Sequence, residues 1–509
     1  MNLQTFSDDY SFIGNFKLPN ISFLFPITCL SLTGCGEEPT PKPVILVPAS
    51  IVSPIAAPVV PPKSHTYTKI VSSDIPSKNI SLFVEAVTIS DINNDGYKDV
   101  VIASTGQAQI EWYHLNKNKI SATDNRTAMF LNNGSNQFSP IDTQHTNPTG
   151  WVNDWLVINQ PNQKAPYIIG IDHGREFGEI ENFDQWVSKL RVFQYENGIL
   201  NELTDSITSN TLGYYHNASS YGDLNNDGYQ DFVTAEMNKI SVFYGHPKEV
   251  FNEVTDSIFA KEKDILQYGS KNYMGSVGAT LVIDVGGDGQ NDIVTLPYVV
   301  NSTTSDKIDY VNGDILKFFN GNYDQRYTFL AKTDIIPSNY GYAFAKVVDL
   351  NNDGLQDIVG LMEVNTGSPL KIISVMLQQP NNTFTVDYVE ANNSIYIGPK
   401  QREYMLSPKF EIIDIDGDRN LDLFIPLFQG SDNHKSAGIF FGDGAGNFTQ
   451  DSKKADTLLA SVNWHGTART IMSDFNNDGI GDLLVLQHGL SQGIEVITPT
   501  LYLSQMNFA

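Results

Sequence analysis

Six short segments of this chain place aspartate and asparagine at alternating positions, a spacing that suits the binding of a hard cation. They are Asp91–Asp99 (DINNDGYKD), Asp223–Asp231 (DLNNDGYQD), Asp284–Asp292 (DVGGDGQND), Asp349–Asp357 (DLNNDGLQD), Asp414–Asp422 (DIDGDRNLD) and Asp474–Asp482 (DFNNDGIGD). Ca²⁺ prefers roughly six to eight oxygen ligands from carboxylates, amides and backbone carbonyls. Positions 1, 3, 5 and 9 offer side-chain oxygens, position 7 offers a backbone carbonyl, and glycine at position 6 permits a sharp turn with positive φ. The pattern therefore predicts calcium loops.

The candidate ligands follow from these positions, and about six bound Ca²⁺ ions are expected. They are Asp91, Asn93, Asp95, Tyr97, Asp99, Asp223, Asn225, Asp227, Tyr229, Asp231, Asp284, Asp288, Gln290, Asp292, Asp349, Asn351, Asp353, Leu355, Asp357, Asp414, Asp416, Asp418, Asn420, Asp422, Asp474, Asn476, Asp478, Ile480 and Asp482. The third loop has Gly286 at position 3 and should bind more weakly. The fifth has Arg419 at position 6 and gains Asp416 as an extra carboxylate. An EF-hand is excluded, because position 12 of the first loop is Ile102 rather than glutamate and apolar strands flank the loops.

The charge distribution agrees with cation binding. The formal net charge is −26, and the acid recurs in clusters along the chain rather than in a tail. Several carboxylates in one loop repel one another unless a cation is present. Nucleic acid is excluded as a partner, because neutralising phosphates requires lysine and arginine patches.

The spacing of the loops reveals a repeat. Neighbouring loops start 60–65 residues apart, except that Asp91 and Asp223 are 132 residues apart. A degenerate unit is therefore expected near residue 158, and Ile158–Pro166 (INQPNQKAP) fits it, because an apolar run follows it as in the other units. This unit has lost its acidic positions and should hold no metal.

Strand and turn signals point to one architecture. Each unit has an apolar run after its loop and later a strand that ends in an Asn/Gly turn and an aromatic residue, as in Phe440–Phe448 (FFGDGAGNF). Short strands, frequent turns and little helical periodicity predict an all-β repeat, and four strands per unit make one propeller blade. We therefore expect a seven-bladed β-propeller with calcium-binding loops. The strand Tyr67–Ser72 should pair into the last blade and close the ring, because the last unit lacks its own final strand.

These units resemble the FG-GAP/VCBS repeats of bacterial surface proteins and of the integrin α-chain propeller, over about residues 66–509. The resemblance implies that each calcium loop joins the first and second strands of a blade, and that partners bind the opposite face. The fold itself hosts many functions, so it does not name the partner.

The segments expected on that opposite face are rich in aromatic and histidine residues. The candidate ligand-face residues are His173, Tyr214, His216, Tyr342, Trp464, His465 and His488. Exposed aromatic rings beside carboxylates are typical of sugar-binding surfaces; the alternative is that these rings pack between blades. The segment Ile171–Glu176 (IDHGRE) is either an acid/base cluster or a hydrogen-bonded loop anchor.

The start of the chain predicts export. Residues 21–32 (ISFLFPITCLSL) form an apolar run of signal-peptide length, and the following Leu32–Cys35 (LTGC) resembles a bacterial lipobox, which implies acylation of Cys35. The acidic Asp8 and Asp9 depart from an export signal, and an ordinary secretory signal is the alternative. Residues 37–62 are proline-rich and predict an extended linker. The expected organisation is a signal peptide over 1–34, a linker over 35–64 and the propeller over 65–509.

Three functions remain open at this point. The first is a non-catalytic module of the bacterial cell envelope, monomeric and membrane-bound only through its lipid, that binds a glycan or protein. The second is a polysaccharide-degrading lyase or hydrolase using His173, His488 and nearby carboxylates. The third is a scaffold for envelope assembly. Motifs for phosphate binding, zinc binding or nucleophilic catalysis are absent from the sequence.

Overall fold

The structure is a computed structural model in which the chain divides into two units, Met1–Val60 and Pro61–Ala509. The residues it describes all lie in the second unit. They are 65–71, 75–76, 83–105, 126–135, 137–141, 152–161, 163–172, 190–208, 218–235, 240–248, 250–254, 277–285, 287–297, 317–319, 340–364, 371–380, 383–390, 410–425, 438–464, 467–491 and 494–506. The expected signal peptide, Cys35 and the linker lie outside them.

The described strands form seven sheets, antiparallel apart from one short parallel strand in sheet 3, and they are numbered here in chain order by their innermost strands. Sheet 1 contains β3 (Phe83–Ser90), β4 (Asp99–Thr105), β5 (Arg126–Asn132) and β6 (Phe138–Pro140). Sheet 2 contains β7 (Val152–Ile158), β8 (Tyr167–Asp172), β9 (Arg191–Glu196) and β10 (Ile199–Glu202). Sheet 3 contains β12 (Ala218–Gly222), β13 (Asp231–Ala235), β14 (Ile240–Gly245) and β15 (Phe251–Glu253), with β11 (Ile207–Thr208) parallel to β15.

The later sheets follow the same order. Sheet 4 contains β16 (Val277–Ile283), β17 (Asp292–Pro297) and β18 (Lys317–Phe319). Sheet 5 contains β19 (Tyr340–Val348), β20 (Asp357–Val364), β21 (Lys371–Gln379) and β22 (Thr383–Glu390). Sheet 6 contains β23 (Glu411–Ile413), β24 (Asp422–Phe424), β25 (Ile439–Gly442) and β26 (Phe448–Thr449). Sheet 7 contains β27 (Thr467–Ser473), β28 (Asp482–Ser491), β29 (Ile494–Met506) and β1 (His65–Val71), with β2 (Ile75–Pro76) also on β29.

The all-β propeller is confirmed, but the prediction of seven complete blades is wrong for the described structure. Six sheets have at least the four strands of a complete blade, whereas sheet 4 has three in the part of the chain that is described. The segment after Phe319, where the repeat places its outer strand, lies outside the described residues. The structure therefore shows six complete blades and one shorter sheet.

The innermost strands contact one another in chain order around the propeller. β3 contacts β7, β7 contacts β12, β12 contacts β16, β16 contacts β19, and β27 contacts both β23 and β3. Single polar contacts reinforce this seam, such as the Ser219 hydroxyl donating to Asp154 Oδ2 at 2.7 Å and the Lys346–Glu411 ion pair between β19 and β23. The contact of β27 with β3 joins the last sheet to the first.

The predicted ring closure is confirmed in its pairing. β1 pairs antiparallel with β29 over the whole of its length, from His65 opposite Met506 to Val71 opposite Thr500. Tyr67 is buried, and its hydroxyl donates to the Gly481 carbonyl at 3.1 Å. The N-terminal strand thus supplies the outer strand of the C-terminal sheet and covers an edge that would otherwise be unpaired.

The core lies between the faces of neighbouring sheets. One cluster of buried residues joins Val359 of sheet 5, Phe440 of sheet 6 and Val485 of sheet 7, and another joins Val100 of sheet 1 to Leu484 of sheet 7. Burial of apolar surface contributes about 25 cal/mol per Å² removed from water, so these contacts hold neighbouring sheets together.

One short helix, α1 (Ser452–Leu458), lies between β26 and β27 and contacts β1. Asp451 caps its N-terminus by accepting a hydrogen bond from the Lys454 amide. Among the described residues, no helix combines the length and the apolar character needed to cross a membrane.

Candidate metal-binding loops

The six acidic segments occupy equivalent places in the propeller. Each joins the innermost strand of a sheet to the second strand, and its position 9 begins that second strand, as Asp99 begins β4. This is the placement that the repeat resemblance implied. Each loop is named below by its first residue: the Asp91, Asp223, Asp284, Asp349, Asp414 and Asp474 loops.

In five of the loops, the carboxylate at position 1 accepts hydrogen bonds from two backbone amides later in the same loop. Asp91 Oδ1 accepts from the Asp95 amide at 3.1 Å, and Oδ2 accepts from the Gly96 amide at 2.7 Å. The same pair of hydrogen bonds is made in the Asp223, Asp284, Asp349 and Asp474 loops. A carboxylate has about four acceptor sites, so these bonds leave lone pairs available for a cation.

Positions 3 and 5 are tied to each other and to the backbone. Asn93 Oδ1 accepts from the Asp95 amide at 3.0 Å, Asn93 Nδ2 donates to Asp95 Oδ2, and Asp95 Oδ1 accepts from the Tyr97 amide. The Asp223, Asp349 and Asp474 loops repeat the arrangement. The oxygen-bearing side chains predicted to bind calcium are therefore held within one small loop. The carbonyls of position 7 stay a prediction.

Two backbone positions with positive φ shape each loop. The predicted one is position 6, with φ values of +91° at Gly96 and +86° at Gly228. Position 4 was not predicted: Asn94 has φ +57°, and asparagine or glycine adopts the same region there in the other loops. The exception at position 6 is Arg419, whose φ of +74° is strained for a residue that has a Cβ.

The aspartate at position 9 has a structural role that the sequence did not show. Asp99 is fully buried, its Oδ2 accepts from the Ile92 amide at 2.9 Å, and its Oδ1 accepts from the Asn132 amide of β5 at 2.8 Å. The first bond is made in all six loops. The second bond recurs in the Asp223, Asp349, Asp414 and Asp474 loops. This residue therefore connects its loop to the third strand of the sheet.

Burial makes these carboxyl groups hard to ionise without a cation. Desolvation raises the pKa of Asp99, Asp231, Asp422 and Asp482 to about 7, against backbone hydrogen bonds that lower it, and the nearby loop carboxylates raise it further. The pKa of Asp357 is raised by the same causes. A bound cation would reverse this effect, because an opposite charge favours the ionised form.

Neighbouring loops are hydrogen-bonded to one another through position 8. Asn291 Nδ2 donates to the Asp223 carbonyl at 2.8 Å, Gln356 Oε1 accepts from the Asp284 amide at 2.9 Å, and the Gly481 amide donates to the Asp414 carbonyl at 2.7 Å. In each case position 8 of one loop contacts the backbone of position 1 of the preceding loop. Asparagine and glutamine at position 8 of two of these loops were a signal in the sequence that did not enter the prediction, whereas Gly481 makes its contact through the backbone.

The degenerate loop is present in sheet 2, one residue later than expected. Ile158 pairs with Tyr167 as Ser90 pairs with Asp99, so Tyr167 stands where the other loops have the position 9 aspartate. Gln160 bridges to the next loop, since its Oε1 accepts from the Gln230 amide and its Nε2 donates to the Gln230 carbonyl. The sequence from Asn159 to Tyr167 contains no acidic residue.

The described aromatic residues of the expected ligand face are buried. Tyr342 is 1% exposed and Trp464 is 7% exposed. The Tyr342 ring lies against Gly360 of the neighbouring strand, and in sheet 2 the buried Trp155 ring lies against Gly170 in the same way. Because Tyr342 and Trp464 are buried, they lie as the packing alternative expects and not as exposed rings that could stack on a sugar.

The other residues of that surface are not brought together by the described structure. His173, Tyr214, His216 and His465 lie outside the described residues, and so does the Ile171–Glu176 segment beyond Asp172. His488 belongs to β28, opposite Ile497, but its side chain is outside the description. Their roles stay predictions.

The comparisons with known proteins gave distant similarities. No family model matches the chain. A T-cell immunomodulatory protein homolog from Plasmodium falciparum is 23% identical over 278 residues, which is 52% of this chain and 36% of that protein. The chain therefore aligns with about a third of the relative's length.

Solved propellers share little detail with this chain. A lectin of Agrocybe aegerita that recognises non-reducing terminal N-acetylglucosamine has a TM-score of 0.33 and 15% identity, covering 81% of this chain and 78% of that one. A mutant NanB sialidase from Streptococcus pneumoniae has a TM-score of 0.38 and 11% identity, covering 88% and 71%. The fold assignment rests on the sheets described above.

Proposed function

We propose that this chain is a calcium-stabilised β-propeller that acts as a non-catalytic binding module outside the cell. The observation that carries the calcium part is the recurrence of one loop geometry. In five loops of differing sequence, position 1 accepts the same two amide hydrogen bonds, and every loop holds further oxygen-bearing side chains beside it. Ordinary turns do not need several carboxylates in each copy.

The charge of the protein supports the same proposal. The net charge is −26, and the position 9 aspartates are buried behind two or three other loop carboxylates. Divalent cations at the loops would remove this repulsion and compensate the desolvation of the buried aspartates. The Asp284 loop has fewer ligands because its position 3 is glycine, so it should bind calcium more weakly than the loops that have asparagine there.

The binding-module part rests on the architecture and on the sequence. A propeller presents connecting loops at both ends of its blades, and here the acidic loops and their hydrogen bonds to one another occupy one end. The opposite end is left for a glycan or protein ligand. Export with a lipid anchor at Cys35 is part of the proposal, since millimolar extracellular calcium matches loops of this type.

Calcium dependence is tested by unfolding the purified chain in calcium and in EDTA. Ligand binding to the folded state stabilises it by mass action, so EDTA should lower the melting temperature and calcium should restore it. Asp353→Asn in a complete loop should reduce the calcium effect. Asp205→Asn, at an exposed aspartate outside the loops, is the matched control. An identical melting curve in calcium and EDTA would refute calcium binding.

The binding role needs a separate measurement. The calcium-loaded chain is applied to a glycan array and to a panel of envelope and extracellular-matrix proteins, with EDTA-treated chain as the control. Calcium-dependent capture of a ligand supports the module. Cleavage of an acidic polysaccharide, abolished by His173→Ala, would instead support the enzymatic alternative.

A further inference from the structure

The Asp414 loop differs from the other five in how it is folded. Asp414 Oδ1 accepts from the Gly417 amide at 2.6 Å, three residues on, whereas the other position 1 aspartates accept from the amide four residues on. Its Oδ2 accepts from the strained Arg419 amide at 2.8 Å. This loop therefore has its own geometry around the first carboxylate.

Position 3 of this loop is an aspartate, Asp416, which cannot donate a side-chain hydrogen bond as the asparagine of other loops does. In four other loops an asparagine stands there, and its Nδ2 donates to the position 5 aspartate. Asp416 has no such donor, and Asn420 Nδ2 donates to Asp418 instead, at 3.2 Å. One oxygen of Asp416 accepts from the Asp418 amide, and the other is left for a positive charge.

Lys454 supplies that charge from helix α1. Its ammonium group forms an ion pair with Asp416 Oδ2, whose side chain is 6% exposed, while the lysine side chain is 39% exposed. The same ammonium lies 3.9 Å from the centre of the Phe441 ring, within the range of a cation–π interaction. Of the three described ion pairs, this is the one that involves a loop carboxylate.

The ion pair lies at a place where a metal would otherwise fit. Oxygens of Asp414, Asp416 and Asp422 all lie within 4.8 Å of one another. The ammonium group that pairs with Asp416 carries a positive charge next to this cluster, and it would repel a divalent ion bound there. Lysine and calcium therefore compete for this loop.

We propose that Lys454 is the resident cation of the Asp414 loop, so that this loop is neutralised by the chain itself while the others take calcium. The predicted number of calcium ions per chain rests on the proposed calcium function. The predicted effect of Lys454 on stability in EDTA does not. The ion pair means that the loop of sheet 6, which lies next to the closing strand of sheet 7, is neutralised without calcium. In that closing strand, the Tyr67 backbone carbonyl accepts from the Ser461 hydroxyl just after α1.

The test compares Lys454→Met with Lys453→Met. Lys453 is the preceding residue of α1, carries the same charge and is exposed, so it controls for the loss of one cation. Calcium bound per full-length chain is measured by atomic emission after equilibrium dialysis against millimolar calcium. Lys454→Met should bind one more calcium ion per chain than wild type, and Lys453→Met should bind the same number as wild type. The double variant Asp416→Asn/Lys454→Met, which restores the ligand pattern of the other loops, should also gain the ion.

A second measurement in EDTA keeps the two proposals apart. Without metal, Lys454→Met should unfold at a lower temperature than Lys453→Met, because Asp416 loses its cation, and Asp416→Asn in the same chain should recover the loss. Equal calcium content in wild type and Lys454→Met, or equal melting of the two lysine variants in EDTA, would overturn the role of Lys454. If no variant binds calcium, the proposed function fails, and the EDTA melting alone decides the inference.

Discussion

Replacing Asp357 by alanine separates the structural role of position 9 from the binding of metal. Asp357 is fully buried at the start of β20, where Oδ2 accepts from the Leu350 amide at 2.9 Å and Oδ1 accepts from the Gln378 amide at 2.8 Å. Asp353, in the same loop, is exposed and is bonded within the loop, where its Oδ1 accepts from the Leu355 amide. Both are predicted calcium ligands, but only Asp357 reaches the third strand.

The expected loss in the free energy of unfolding follows from the two backbone amides, of Leu350 and Gln378, that lose their hydrogen-bond acceptor. A buried N–H group without a partner costs about 1–3 kcal/mol, so Asp357→Ala should cost about 2–6 kcal/mol from this source. Burial raises the pKa of Asp357, which means that its ionised form is penalised and that removing it returns part of that loss. The net loss should therefore lie near the lower end of that range, at about 2 kcal/mol. Asp353→Ala should change little when no metal is bound.

The assay is denaturant unfolding in EDTA, followed by tryptophan fluorescence. Asp357→Ala should unfold at a clearly lower denaturant concentration than Asp353→Ala, and adding calcium should stabilise wild type more than either variant. If both variants unfold together with wild type in EDTA, the hydrogen bonds of position 9 do not hold the loop to the sheet. If Asp353→Ala lowers the free energy of unfolding in EDTA as much as Asp357→Ala does, position 9 has no structural role that position 5 lacks.

Two further changes test the packing around the degenerate loop and beneath the buried aromatic rings. Gln160→Ala removes both side-chain hydrogen bonds to the Gln230 backbone, so the free energy of unfolding should fall by about 1–3 kcal/mol, and the exposed Gln163→Ala should be neutral in the same denaturation experiment. Gly360→Ala would bring a Cβ to within 2.4 Å of the Tyr342 ring, and such overpacking should lower the free energy of unfolding by about 1–3 kcal/mol. Tyr342→Leu in the same chain should relieve the clash; a Gly360→Ala variant as stable as wild type would contradict the packing argument.

Local patterns in the sequence predicted the repeat well, because loop and strand signals are short-range. The spacing of the acidic loops located the innermost and second strands, including the degenerate unit that lies between β7 and β8. The final strand missing from the last unit, together with the spare strand Tyr67–Ser72, predicted the pairing of β1 with β29. The count of seven complete blades failed at sheet 4, for which the described residues form three strands.

The functions of individual side chains depended on contacts across sheets and loops that are far apart in sequence. In the sequence, an aspartate at position 9 looks like a metal ligand. Only the structure shows that it also accepts a hydrogen bond from the third strand, as Asp99 does from the Asn132 amide. In the sequence, an aromatic residue before a loop suggests an exposed ring. In the structure, Gly360 on the neighbouring strand leaves the space in which the Tyr342 ring is buried.

The sequence by itself determined the repeat, the acidic loops and the strand that closes the ring, because each of these features depends on residue types at a fixed spacing along the chain. The tertiary structure decided which charges meet. Lys454 lies 38 residues after Asp416, and nothing in their spacing links them. They meet because α1 is placed beside the Asp414 loop, with Phe441 beneath the ammonium group. Long-range packing therefore determines how each copy of the repeated loop is neutralised.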